Sequence, residues 1–164
     1  MLYKVTDISR FVINYCNEMG VSVNNDKLQR FLYLIQMHYL KLTGKPCFKE
    51  RIEAWVSGPV VPTAYYEFES YKNDDIPRID KYPEIDPENI WDVREVEYNK
   101  NTVAKYDRNE IKKVIDKYSE LPDFELETLV KNQSPWKDAI CRGKKTEITI
   151  QSMVKYITNR DCNA

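Results

Sequence analysis

The sequence predicts a mainly α fold: a compact single domain over residues 1–164, with about six helices and one or two short β-strands. Apolar residues recur at three- and four-residue spacing along most of the chain, as in helices with one buried face. Only four glycines stand against twelve tyrosines, and scarce glycine disfavours an all-β chain rich in tight turns. Two-residue alternation is confined to short stretches.

The elements follow in order. Ile8, Phe11, Val12, Tyr15, Cys16 and Met19 form one helical stripe, with Thr6 or Asp7 as its cap and Gly20 as its stop. A second helix is predicted from Asn24 or Asn25 to Leu42 or Thr43. Its apolar positions, Leu28, Phe31, Leu32, Leu34, Ile35, Tyr39 and Leu42, make a broad stripe suited to a central element. Gly44 and Pro46 end it. Ile52, Ala54 and Val56 alternate with Glu53 and Trp55 in a short strand, and Gly58-Pro59 forces a turn. Pro62-Thr63 opens a third helix with Tyr65, Phe68 and Tyr71 inward. Residues 73–92 hold three prolines and read as an acidic, irregular excursion; Val93–Val96 reads as a short strand. Asp107-x-x-Glu110 resembles a capping box opening a helix with Ile111, Val114, Ile115 and Tyr118. Asp123 caps a helix through Leu126, Leu129 and Val130. Ser134-Pro135-Trp136 interrupts it, a short helical piece follows, and Thr149 caps a last helix with Met153, Val154 and Ile157.

Composition narrows the function. The formal charge is −1, so nothing requires non-specific nucleic-acid binding, which depends on neutralising phosphates. Charge does cluster: residues 73–97 hold nine acidic and three basic side chains. The cluster is either a solvated face or a patch that steers a charged protein partner. Four scattered cysteines and one histidine give no zinc-site spacing, and no metal or cofactor is expected. There is no N-terminal signal pattern and no long apolar run, so the expected location is cytoplasmic, with reduced thiols and no membrane partner.

No catalytic motif is present, and a non-enzymatic role is expected. The lone helical His38 fits a hydrogen-bonded structural residue better than a general base. Trp55-Val56-Ser57-Gly58-Pro59-Val60-Val61-Pro62 is more informative. A rigid apolar turn of this kind either locks one element against another or presents a preorganised contact surface. Trp136 invites the same two readings. The candidate partner-binding residues are Trp55, Gly58, Pro59, Val60, Val61, Pro62, Tyr65, Asp74, Asp75 and Trp136.

These residues carry a resemblance. Lys27-Leu28-Gln29-Arg30-Phe31-Leu32-Tyr33, then Tyr39-Leu40-x-x-Thr43-Gly44-Lys45-Pro46 with Phe48, then Ile52-Glu53-Ala54-Trp55-x-x-Gly58-Pro59-Val60-Val61-Pro62-x-x-Tyr65 resemble the Panacea domain, the family of SocA-like antitoxins and phage-associated GepA-like proteins. The segment from Leu126 to Ser134-Pro135-Trp136 is similar to the family's C-terminal motif. Val130-Lys131 stands where family members commonly carry Thr-His, so a role needing that histidine is not carried over. The resemblance implies an antitoxin that neutralises a cognate toxin by direct contact or by delivering it to an ATP-dependent protease. The alternative is a phage or mobile-element protein that binds and inhibits a host defence factor, with the acidic segment standing in for phosphate charge.

Overall fold

A computed structural model describes residues 1–163. Among them are seven α-helices and five short strands, so the fold is mainly α, with more of both elements than the periodicity alone predicts. The helices are α1 (Val5–Glu18), α2 (Asn25–Thr43), α3 (Pro62–Glu67), α4 (Lys105–Tyr118), α5 (Asp123–Lys131), α6 (Ser134–Arg142) and α7 (Ile150–Cys162). The strands are β1 (Ile52–Trp55), β2 (Gly58–Val60), β3 (Lys81–Ile85), β4 (Val93–Glu97) and β5 (Thr146–Ile148).

The broad stripe of α2 is explained by its surroundings, for α1, α4, α5, α7 and β2 all pack on it. Leu28, Phe31, Leu32, Tyr33 and Ile35 are fully buried there. Burying one such side chain is worth roughly 1.5–3 kcal/mol. The Asn24 side chain accepts from the Lys27 N–H, and Gly44 closes the helix in the left-handed region at φ +70, so both ends match the sequence reading.

Buried amides on the two central helices then fix the loops. Gln36 Oε1 accepts from the Cys47 N–H at 2.8 Å, and its Nε2 donates to Phe48 O at 3.1 Å. Gln29 Oε1 accepts from the Val61 N–H at 2.9 Å, which docks the end of β2 onto α2. Asn14 Nδ2 donates to Ile79 O, and Ile79 N–H donates back to Asn14 Oδ1. A side chain thereby replaces a strand partner for residues that would otherwise bury unpaired backbone groups.

β1 is the centre of a three-stranded antiparallel sheet of order β2-β1-β5. The turn between β1 and β2 is Val56-Ser57, and Gly58-Pro59 lies within β2 rather than forming the turn. β2 is an edge strand, so Pro59 removes no ladder bond from the interior. The segment 73–92 is only partly irregular. Ile76 and Ile79 are buried and tied to α1 and the α1–α2 loop, and β3 then pairs with β4 as a separate hairpin.

Three caps differ from expectation. The residue before α1 is Lys4, with no side-chain cap; Glu50 Oε2 takes the Val5 N–H instead, at 3.0 Å. α4 begins at Lys105. There Asp107 accepts hydroxyl hydrogen bonds from Tyr3 and Tyr39, and Glu110 accepts from Lys113 and contacts His38. Pro122 precedes α5, so Asp123 is the first helical residue and caps nothing with its side chain.

Candidate partner-binding site

The β1–β2 turn and α3 together display an aromatic ledge. Trp55 ends β1, and Tyr65 and Tyr66 follow one another on α3. The Trp55 and Tyr65 ring centroids are 4.9 Å apart, Trp55 and Tyr66 6.3 Å, and Tyr65 and Tyr66 5.6 Å. Lys145 lies 4.7 Å from the Trp55 ring centroid, within cation–π range. Trp55 and Tyr65 are half-buried, while Val56 and Tyr66 are exposed. The rim is therefore open and the base is packed.

The base explains the rigidity. Gly58 holds φ +131, a conformation an L side chain adopts only with strain. A Cβ there would sit 3.8 Å from Val130 Cγ2, so β2 lies close against α5. Trp136 Nε1 donates to the carbonyl oxygen of Trp55 at 2.9 Å, tying α6 to the end of β1. Lys131 covers the Trp136 ring at 5.2 Å and pairs with Glu127 at 3.0 Å. The Trp55 Nε1 is buried and has no acceptor among the described residues.

The structure divides the sequence-derived candidates. Trp55, Pro62, Tyr65 and Trp136 are half-buried around the ledge. Gly58, Pro59, Val60 and Val61 are buried in its base, so as packed they offer a partner no surface and act as the lock. Asp74 and Asp75 lie elsewhere: Asp75 accepts from Ser22 at the α1–α2 loop, and neither reaches the aromatic cluster. Sequence reasoning missed Tyr66 and Lys145. Tyr66 was hidden because Tyr65 alone was assigned to a helical face. Lys145 arrives from the β5 side of the sheet, and no local pattern announces such a contact.

Two other places bear on chemistry. A cleft of about 830 Å3 between α2, α4 and α7 is lined in part by His38, Lys113, Tyr118 and Arg160. In it His38 Nε2 is 2.9 Å from Glu110 Oε2, and hydrogen bonds from Lys113 and then His38 hold the Glu110 carboxyl below its ordinary range. The second place is the β3–β4 hairpin, whose tip carries Trp91, 88% exposed.

Residues 28–137 match the family described as antitoxin SocA-like, Panacea domain. The chain belongs to that family. The Panacea match runs from α2 to the start of α6, so it contains the whole ledge except Lys145, and it contains the β3–β4 hairpin. At the positions where the Panacea motif commonly has Thr-His, Val130 packs toward Gly58 and Lys131 covers Trp136. No curated protein and no solved structure matches the chain. Among the described residues no helix is long and apolar enough to cross a membrane.

Proposed function

We propose that this Panacea-domain chain is an antitoxin-type protein that neutralises a cognate toxin by direct contact and catalyses nothing itself. Membership of an antitoxin-like family over residues 28–137 carries the reading. The ledge supports it, because aromatic side chains packed on one another at tilted and edge-on angles over a packed base lose little freedom when a partner covers them. Glu110 engages both His38 and Lys113, which favours a structural role for the lone histidine.

Two mechanisms follow from direct contact: occlusion of the toxin's working surface, or delivery of the toxin to an ATP-dependent protease. A stable stoichiometric complex marks the first, and protease-dependent loss of toxin marks the second. A second reading, inhibition of a host defence factor, uses the same scaffold on another target. Six acidic side chains on the β3–β4 hairpin favour it where the target binds nucleic acid.

The test is co-expression with the product of the adjacent reading frame. That product should arrest growth alone and be neutralised by this chain. Trp55→Ala and Tyr66→Ser should weaken rescue, and His38→Ala should leave it intact. A neighbour that is harmless alone, or that is never rescued, removes the antitoxin reading. Loss of rescue only in His38→Ala would revive an enzymatic one.

A further inference from the structure

The β3–β4 hairpin is a ribbon with two unlike faces. In its register Tyr82 faces Val96 and Glu84 faces Arg94, while Pro83 faces Glu95 and Ile85 faces Val93. Side chains alternate along a strand, so Ile85 and Val93 form a cross-strand pair on one face. Tyr82 and Val96 are half-buried on the other. The ribbon is held at its base, where the Arg10 guanidinium lies 3.5 Å from the Tyr82 ring centroid. Beyond the Ile85–Val93 pair the chain turns, and the turn carries Ile90 and Trp91. Ile85, Ile90 and Val93 are 58%, 68% and 57% exposed, and Trp91 is 88% exposed. Exposed apolar residues scattered singly are ordinary, but four of them at one end of a hairpin, tryptophan among them, are the composition of an interaction surface.

The turn is ordered by its own bonds. Asp86 N–H donates to Asp92 O at 2.9 Å, Glu88 N–H to Asp86 Oδ1 at 2.8 Å, and Trp91 N–H to Asn89 Oδ1 at 3.2 Å. Arg94 pairs with Asp86 across the neck. Trp91 is therefore presented from a fixed frame.

Charge identifies the occupant. Between Lys81 and Glu97 there are six acidic side chains and two basic ones, a net of −4. That field opposes a second hairpin of the same kind, an anionic lipid surface and nucleic acid alike. Pro83 lacks the N–H that a ladder partner would need, and this discourages strand addition along β3. A protein surface with an apolar pocket rimmed by Lys and Arg fits both the tip and its charge.

We propose that the β3–β4 hairpin is the docking arm of this protein. Trp91 and Ile90 enter an apolar pocket on the partner, and the surrounding carboxylates pair with a basic rim. The inference rests on the antitoxin-type reading and names the partner's surface chemistry. It adds an anchor separate from the Trp55 ledge. A contact chain joins the two: Glu67, next to Tyr66, accepts from Arg10 Nη2 at 2.9 Å, and Arg10 stacks on Tyr82.

The probe is the purified product of the adjacent reading frame, titrated by calorimetry against wild type, Trp91→Ala and Ile90→Ser. Both side chains are exposed, so the variants should keep the wild-type far-UV circular dichroism and melting temperature. Trp91→Ala should weaken binding at least about 30-fold, the scale of an interface hot spot. Ile90→Ser should weaken it less. If wild type binds and Trp91→Ala binds equally well, the docking arm is wrong and the antitoxin reading stands. If wild type does not bind, both fall. Sedimentation of the chain alone supplies the remaining check. A dimer that Trp91→Ala dissolves would assign the tip to self-association and overturn the proposal; a monomer in both supports it.

Discussion

Asp107 sits in the first turn of α4 and accepts from two phenols far away in sequence, Tyr3 and Tyr39. Burial and then the hydrogen bond to Asp107 push the Tyr3 hydroxyl up to about 12. The same causes push Tyr39 up further. Burial and then Asp116 raise Tyr15 to about 12. In each case the folded protein keeps a proton that the unfolded chain loses near pH 10. The sign follows directly: this contribution to stability is complete below about pH 10, and for Tyr3 and Tyr15 it is lost as pH rises through about 12, while that of Tyr39 persists to higher pH. Chemical denaturation across that window should show a falling midpoint, and tyrosinate absorbance should show part of the tyrosines titrating late. A midpoint that stays level through pH 12 would contradict the assignment. Removing the acceptor tests the same site at neutral pH. Asp107→Ala strands two hydroxyls and should cost about 2–5 kcal/mol, whereas Asp107→Asn keeps one acceptor oxygen and should cost about 1–2 kcal/mol. A loss in Asp107→Ala no larger than in Asp107→Asn would mean the phenols find other partners.

At the scale of elements, what holds each piece decides both its stability and how legible it was. α2 was readable from end to end, because its cap Asn24, its stop Gly44 and its stripe are all local signals. Thr149 likewise accepts from the Ser152 N–H and caps α7 as the sequence indicates. Asp107 misled because its residue type fits a cap while its side chain serves a distant pair of tyrosines. The β1–β2 lock was visible in its residue types, but the ledge it supports needed Tyr66 and Lys145 brought in by the fold. β3 was hidden because Pro83 and Ile85 face solvent and only Tyr82 is half-buried, so it lacks the buried alternation by which strands are recognised. A two-stranded ribbon is marginal alone and depends on what it packs against. Here Arg10 is the support: it is buried, bonded to Asp7 and Glu67, and stacked on Tyr82. Tyr82→Ala removes the ribbon's share of that contact and leaves both ion pairs in place. Hydrogen exchange should therefore quicken in β3 and β4 by about 10-fold or more while α1 and α2 keep most of their protection, a partly buried cation–π contact being worth about 1–2 kcal/mol. Uniform acceleration across the chain would show instead that the ribbon unfolds only with the whole.

Across the whole molecule the formal charge of −1 conceals a separation. The β3–β4 ribbon is net −4. Beyond its base, Arg78, Lys100, Lys105, Arg108 and Lys112 line a second cleft between α1 and α4, of about 520 Å3. Such a molecule orients in the field of a charged partner before contact, and its arm leads toward a basic surface. Charge of this kind governs how fast partners meet, while a buried aromatic anchor governs how long they stay. The acids to change are Glu84, Glu88 and Glu97, which are exposed and make no ion pair among the described residues. Asp86 must stay, because it takes the Glu88 N–H and pairs with Arg94. Replacing Glu84, Glu88 and Glu97 together by Gln should slow association with the neighbour-encoded protein by about 3- to 10-fold at low salt and leave dissociation unchanged. It should also flatten the decline of association rate with ionic strength that wild type shows. Trp91→Ala should do the reverse, keeping the association rate and speeding dissociation. Stopped-flow measurements over a salt series separate the two. An association rate indifferent to salt in wild type, or one that rises when the three acids are neutralised, would show that the partner's rim is not basic and that Trp91 must find a different kind of pocket.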